Sequence, residues 1–273
     1  MSKTILITGA TDGIGLRLAR RLAAGGHHVL LHGRSEVKLA KAQADVAEAS
    51  GGAVPPGYLA DLTDLAAIDA MAEAIAATHP RLDVVVNNAG IYKTAHPRTP
   101  TGLDVRFMVN TLAPVRLTTK LLPLMTAEGR LVHLSSAAQS PPDLAALAGQ
   151  KPVDDFGAYA QSKLALTMWS AWLARQLGAS GPTSIAVNPG SLLDTKMVRE
   201  GFGHSRGSAD VGAAILERLA LTDLGAGATG RYFDNDAGTF AAPHPVGRSE
   251  AAQAAVVEVI EQTLDRLAQG SRP

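Results

Sequence analysis

Short apolar runs that fail to alternate constrain this chain more than any other feature. Thr4–Thr8, His28–His32, Leu82–Asn87, Arg130–Ser135, Ser184–Asn188 and Gly230–Phe233 are candidate strands, several of them apolar throughout, with a weaker seventh around Gly57–Ala60. A strand with one wet face alternates polar and apolar residues, whereas a parallel strand covered on both faces does not. Between these runs lie helical patterns over Gly13–Ala24, Glu36–Ala49, Leu65–Thr78, a long segment Gly102–Ala127, Ala158–Gly178 and Ala209–Leu221. A last helix is expected over Glu250–Ala268. This order predicts an α/β fold: a doubly wound parallel sheet of about seven strands with helices on both faces. No repeat, linker or charge block divides residues 1–273, so one domain is expected.

Composition excludes several functions. Basic and acidic residues balance at 25 each, so no surface for nucleic acid or anionic lipid is expected. Without cysteine there are no disulfides, no thiol catalysis and no cysteine-ligated metal. The eight histidines are scattered without paired spacing or an accompanying carboxylate cluster, so no metal site is expected. His133 reads as a satisfied core residue. The opening apolar run is too short for a signal peptide or a membrane span, and a soluble cytoplasmic protein is expected.

Two motifs carry chemistry. Thr8-Gly9-Ala10-Thr11-Asp12-Gly13-Ile14-Gly15 follows the first strand and opens the first helix. Glycines allow a tight turn and close backbone approach, and a helix N-terminus favours an anion, so a dinucleotide pyrophosphate fits there. The spacing is not Gly-x-Gly-x-x-Gly, and a plain strand-to-helix turn is the rival reading. The second strand ends Leu31-His32-Gly33-Arg34-Ser35 with no acidic residue for ribose hydroxyls before Glu36, which follows an expected Ser35 N-cap. Arg34 could pair with a 2′-phosphate or simply lie in solvent; the former makes NADP(H) the expected cofactor over NAD(H). The second motif is Tyr159 and Lys163, one helical turn apart. The ammonium beside the phenol is expected to lower the tyrosine pKa and fit it for proton transfer.

The glycine run 8–15, Asn87-Asn88-Ala89-Gly90, Asn110, Ser136, Tyr159, Lys163 and Pro189-Gly190 occur in an order that resembles the short-chain dehydrogenase/reductase family. The likeness extends to about residue 200 and is nearer to the retinol-dehydrogenase-like and carbonyl-reductase-like members. It implies a Rossmann-type fold and an oxidoreductase interconverting a carbonyl and an alcohol. It further implies that Asp61 and Leu62 hold the adenine, and that Asn88, Ala89 and Gly90 pass beside the cofactor ribose. Tyr159 would give or take the substrate proton, Ser136 would bind the substrate oxygen, and Lys163 would lower the tyrosine pKa and bind the ribose. The helical backbone at Asn110 would hold a water in the proton relay. Ser135, preceding Ser136 on a strand, should face the other way. A family threonine that meets the nicotinamide amide falls at Asp194 here, leaving Asp194 or the later Thr195 for that contact.

A substrate loop is expected over about 191–208, where Leu192, Leu193, Met197, Val198 and Phe202 suggest a fairly apolar small-molecule carbonyl or alcohol. His204 could touch substrate or be merely exposed. Ser136 and Tyr159 lie 23 positions apart, a long interval that contains a Pro- and Ala-rich insertion at about 139–155. That insertion is expected to cover the helix face on which Trp169 and Trp172 could otherwise pair two copies, favouring a monomer over a homodimer. A non-catalytic NAD(P)-sensing protein on the same fold is the rival function, and a dehydratase or epimerase the rival enzyme.

Overall fold

In the computed structural model, which describes residues 2–270 apart from the Phe202 side chain, eight strands form one sheet. They are β1 (Thr4–Ile7), β2 (His28–Gly33), β3 (Gly57–Leu59), β4 (Val84–Asn87), β5 (Arg130–Leu134), β6 (Thr183–Asn188), β7 (Tyr232–Asp234) and β8 (Thr239–Ala241). Their order is β3-β2-β1-β4-β5-β6-β7-β8, and every pair is parallel except β7–β8. The eighth strand exceeds the seven expected. It is three residues long and follows a turn through Gly238, too short for its own periodic signal.

Helices cover both faces, which is why the strands do not alternate. On β1, Leu6 enters one core while Ile5 and Ile7 enter the other; on β4, Val85 opposes Val84 and Val86 in the same way. One face carries α1 (Gly13–Ala24), α2 (Glu36–Ala49) and α9 (Ala209–Leu221). The other carries α3 (Leu65–Thr78), α5 (Ala113–Leu121), α7 (Asp155–Leu177) and α10 (Glu250–Gly270). Shorter helices are α4 (Val105–Phe107), α6 (Leu144–Leu147) and α8 (Lys196–Phe202). No helix among the described residues is long and apolar enough to cross a membrane.

The expected helix over 102–127 is broken. Between α4 and α5 the chain widens to a π turn at Met108–Leu112, with the Ala113 N–H donating to the Met108 carbonyl. Pro114 explains the break, since it has no N–H to give to the carbonyl of Asn110 four residues earlier. The insertion does lie against α7: the Ser140 N–H donates to the Ala160 carbonyl (3.3 Å), the Asp143 N–H to the Gln161 side-chain oxygen (2.9 Å), and Ala146 and Leu147 are buried in the same core. Beside it α10 packs along α7 and touches α6 from the insertion, a cover the sequence reading did not expect. Trp169 is buried in the core against the His133 ring, and Trp172 packs on the same core, so neither is an open interface anchor.

Candidate functional site

Chain order reverses between β1 and β4, and loops leaving the strand C-termini at that point part to form a cleft of about 720 Å³. Such a switch point is where open α/β sheets bind ligands, and the volume falls within the usual small-molecule range.

At one end lies the glycine turn. Gly9 and Gly13 have positive φ, 65° and 54°, and a Cβ at Gly15 would come within 2.3 Å of the Gly9 carbonyl oxygen. The first turn of α1 therefore presses directly on the loop before it. The Asn88 side-chain amide donates to the Thr8 carbonyl (2.8 Å) and the Gly9 carbonyl (3.1 Å), and the Thr8 hydroxyl accepts from the Asn88 and Ala89 N–H groups. Gly9, Thr11, Asp12, Gly13 and Ile14 line the cleft with Asn88, Ala89 and Gly90; Gly15 lies beneath them as a spacer. The Asp12 carboxylate caps α1 by accepting from the Gly13 N–H at 2.6 Å.

Arg34, Asp61 and Leu62 line the adjoining part of the cleft, as do Ser35 and Lys38, which the sequence reading did not assign to a ligand. Ser35 occupies the N-cap position of α2 without making a side-chain cap bond. Lys38 lies in the first turn of α2, just beyond the loop that carries Arg34. His32 was also missed. Its Nδ1 accepts from the Gly9 N–H (3.1 Å), which leaves Nε2–H to donate to the Ala60 carbonyl (3.0 Å). Burial lowers its pKa and keeps the ring neutral.

At the opposite end Tyr159, Lys163 and Ser136 line the same cleft. Ser135 does face away: its hydroxyl bonds the Thr167 hydroxyl (2.7 Å) and the Lys163 carbonyl (3.1 Å). The Lys163 ammonium is buried, donates to the Leu134 carbonyl at 2.7 Å and lies 5.7 Å from the Tyr159 ring centre. Burial pushes its pKa down to about 8. The expected depression of the tyrosine pKa is not found. Burial pushes the Tyr159 phenol up, and the opposing hydrogen bond from Ser136 does not cancel that effect. The physical reason is that desolvation of the phenolate outweighs its partners, while the lysine is engaged with a carbonyl.

Asn110 does not line the cleft. It is fully buried, its side-chain oxygen accepting from the Ile91 N–H (2.8 Å) and its amide donating to the Ile91 carbonyl and the Ser162 hydroxyl (both 3.0 Å). A Cβ at Gly90 would sit 3.4 Å from the Asn110 side-chain oxygen and 3.3 Å from Lys163 Nζ, so these three residues meet under the cleft floor.

The remaining wall comprises Pro189, Gly190 and α8. The Asn188 side-chain amide donates to the Asp234 and Asp236 carboxylates (2.8 Å each), tying this loop to the β7–β8 turn. Thr195 lines the cleft and caps α8 through its hydroxyl, whereas the Asp194 carboxylate pairs with Arg199. Leu193, Met197 and Val198 face the cleft, but Leu192 does not; it is the only non-glycine residue at positive φ among those described, at 54°. The Phe202 side chain lies outside the described residues, and His204 is exposed. Tyr92, unassigned by the sequence reading, packs its ring 5.1 Å from that of Tyr159.

Residues 3–204 match the short chain dehydrogenase family model. The chain is 32% identical to human retinol dehydrogenase 13 over 260 residues, covering 85% of this chain and 76% of that protein. It is 37% identical to the bovine dehydrogenase/reductase SDR family member 13, a match spanning 72% of this chain but only 53% of that protein. Among solved structures, an Escherichia coli CFT073 protein described as a short chain dehydrogenase complexed with NADPH superposes with TM-score 0.69 at 30% identity, covering 85% of this chain and 95% of that one. An uncharacterized Mycobacterium paratuberculosis protein superposes with TM-score 0.80 at 26% identity over 96% of this chain and 93% of its own. The chain belongs to the short-chain dehydrogenase family.

Proposed function

We propose that this short-chain dehydrogenase is an NADP(H)-dependent reductase of apolar aldehydes or ketones, with Tyr159 as its proton donor. The observation that carries the reading is the convergence of Tyr159, Ser136 and Lys163 in the cleft that also contains the glycine turn. Dinucleotide binding is supported by the Gly9–Gly15 contact, which brings the helix N-terminus against the strand end. Arg34, Ser35 and Lys38 supply cationic and hydroxyl donors where an NAD-selective site would present a carboxylate. The E. coli relative complexed with NADPH favours the same choice.

A bound NADPH supplies the hydride. The chain supplies position and protons. Ser136 donates a hydrogen bond to the substrate oxygen while the Tyr159 phenol gives it a proton. The phenol is neutral at pH 7 and can donate, although burial makes it a weaker acid than an ordinary tyrosine. The tyrosinate left behind would be stabilised by the Lys163 ammonium and reprotonated from solvent through a water held at the Asn110 carbonyl, whose α-helical donor Pro114 has removed. Leu193, Met197 and Val198 suit an apolar substrate, consistent with the retinol dehydrogenases among the relatives.

A cofactor sensor without turnover would need no convergence of tyrosine, serine and lysine, so the enzyme reading is preferred. The test is NADPH consumption with a panel of aldehydes and ketones that includes all-trans-retinal and 4-nitrobenzaldehyde. Turnover that fails in Tyr159→Phe supports the reading. Tight NADPH binding without turnover of any carbonyl would favour the sensor.

A further inference from the structure

Arg106 is the most deeply buried charge outside the residues assigned above, at 1% exposure. Its guanidinium bonds the Asp104 carboxylate through two nitrogens, Nε at 2.8 Å and Nη2 at 2.6 Å. Nη1 donates to the Asp155 carboxylate at 2.5 Å and to the Tyr92 carbonyl at 3.3 Å. Asp155 is the first residue of α7 and lies one turn before Tyr159; the N-cap of that helix is Asp154. Tyr92 follows Ile91, the residue whose N–H and carbonyl Asn110 holds, and its ring rests on the ring of Tyr159.

The two side chains thus make parallel connections. Asn110 joins Ile91 to Ser162 of α7, and Arg106, four residues earlier, joins Tyr92 to Asp155 of α7. Tyr159 lies between the two attachment points on that helix. We propose that Arg106 and Asp155 form a second clamp, that they are positioning residues for Tyr159, and that together with Asn110 they fix the approach of its phenol to Ser136. The proposal rests on the catalytic reading of Tyr159 given above.

The arrangement is suited to positioning. A guanidinium has a planar fork that fixes direction as well as distance, which an ammonium would not. A buried ion pair is a weak source of net stability, but removing one member leaves an uncompensated charge. Arg106 variants could therefore lose the fold altogether. Asp155 is half exposed, and Asp104 would still neutralise Arg106 without it. Asp155 is consequently the residue to change.

The experiment compares wild type, Asp155→Asn, Asp155→Ala and Tyr159→Phe, with 4-nitrobenzaldehyde and NADPH as the reactants. Displacing a catalytic group by ~1 Å can cost about 10²-fold. Asp155→Ala is expected to lower kcat by about tenfold or more on that scale, with KM and NADPH Kd within about twofold. Asp155→Asn keeps an oxygen acceptor for Nη1 and should recover part of the loss. The pH inflection in kcat that disappears in Tyr159→Phe should move upward in Asp155→Ala, because the phenol loses its fixed approach to Ser136. A purely structural contribution would lower Tm without moving that inflection. Wild-type kcat and an unmoved inflection in Asp155→Ala, beside an inactive Tyr159→Phe, overturn the clamp alone. Full activity in Tyr159→Phe overturns the catalytic reading and the clamp with it.

Discussion

A Cβ at Gly201 would lie 2.5 Å from Cδ1 of the Tyr92 ring, so α8 touches Tyr92 at a point where only glycine fits. Tyr92 in turn packs against Tyr159, the rings tilted by 56°. The substrate-side helix and the proposed proton donor are therefore two contacts apart. Gly201→Ala should push α8 outward, because the Tyr92 ring is buried and has Tyr159 behind it. The expected outcome is a higher KM for small carbonyls with NADPH affinity little changed. Steady-state kinetics beside a fluorescence titration of NADPH measure both, and unaltered KM would mean that α8 yields without cost.

Tyr159→Phe removes one hydroxyl from a ring that remains packed against Tyr92. General acid catalysis is worth roughly 10²–10⁴-fold, so turnover should fall within that range. NADPH binding should remain near wild type, since the glycine turn and the Arg34 region are untouched. Retained turnover on a proven substrate would remove the phenol from the mechanism.

Arg34→Asp should shift preference from NADP(H) toward NAD(H), and Lys38→Ala should weaken NADPH alone. A hydrogen bond to a charged group is worth about 1.5–3 kcal/mol, or roughly 10–150-fold in Kd. Titrating both cofactors against both variants decides the matter. An unchanged NADPH Kd in the Arg34 variant would put that side chain in solvent.

Lys163 makes a testable contribution to pH stability in the cofactor-free protein. Its folded pKa, about 8, lies below the ordinary 10.5 because burial disfavours the ammonium. Between those values the unfolded chain holds the proton more tightly than the folded chain, so stability from this group rises with pH. Below pH about 8 its burial cost is constant. Tyr159, with its pKa raised, acts in the opposite sense only above its ordinary value of 10.0. Denaturant melts of wild type and Lys163→Met between pH 8 and 9.5, roughly the window these values define, should differ in slope, the wild type gaining relative to the variant. Equal slopes would show that the ammonium finds water in the cleft.

Much of the fold and site was legible because it depends on local signals. The buried runs gave the parallel strands, and the glycine turn announced itself by residue type. The helical spacing of Tyr159 and Lys163 brought them into one cleft. What escaped the sequence depends on the surroundings. The rise in the Tyr159 pKa comes from desolvation by its neighbours, which spacing to Lys163 does not report. The π turn at Asn110 follows from Pro114, a residue that reads equally well as a helix start. Arg106 looks like a surface charge in the run Asp104-Val105-Arg106-Phe107, and only its distant partner Asp155 reveals otherwise.

The association state follows from which element covers α7. Residues 139–155, expected from the sequence to do this, bury Ala146 and Leu147 there, and α10 also lies along the helix and buries Val256, Val257, Ile260 and Leu264 in the same core as Trp169. With about 25 cal/mol released per Å² of apolar surface removed from water, a helix that buries four large aliphatic side chains competes strongly with a second copy for the same face. A monomer is therefore expected, and light scattering at micromolar concentration tests it. Ending the chain before Glu250 should expose the α7 face and convert the monomer to dimers or aggregates. A stable dimer of the intact chain would place the pairing surface elsewhere and deny α10 this role.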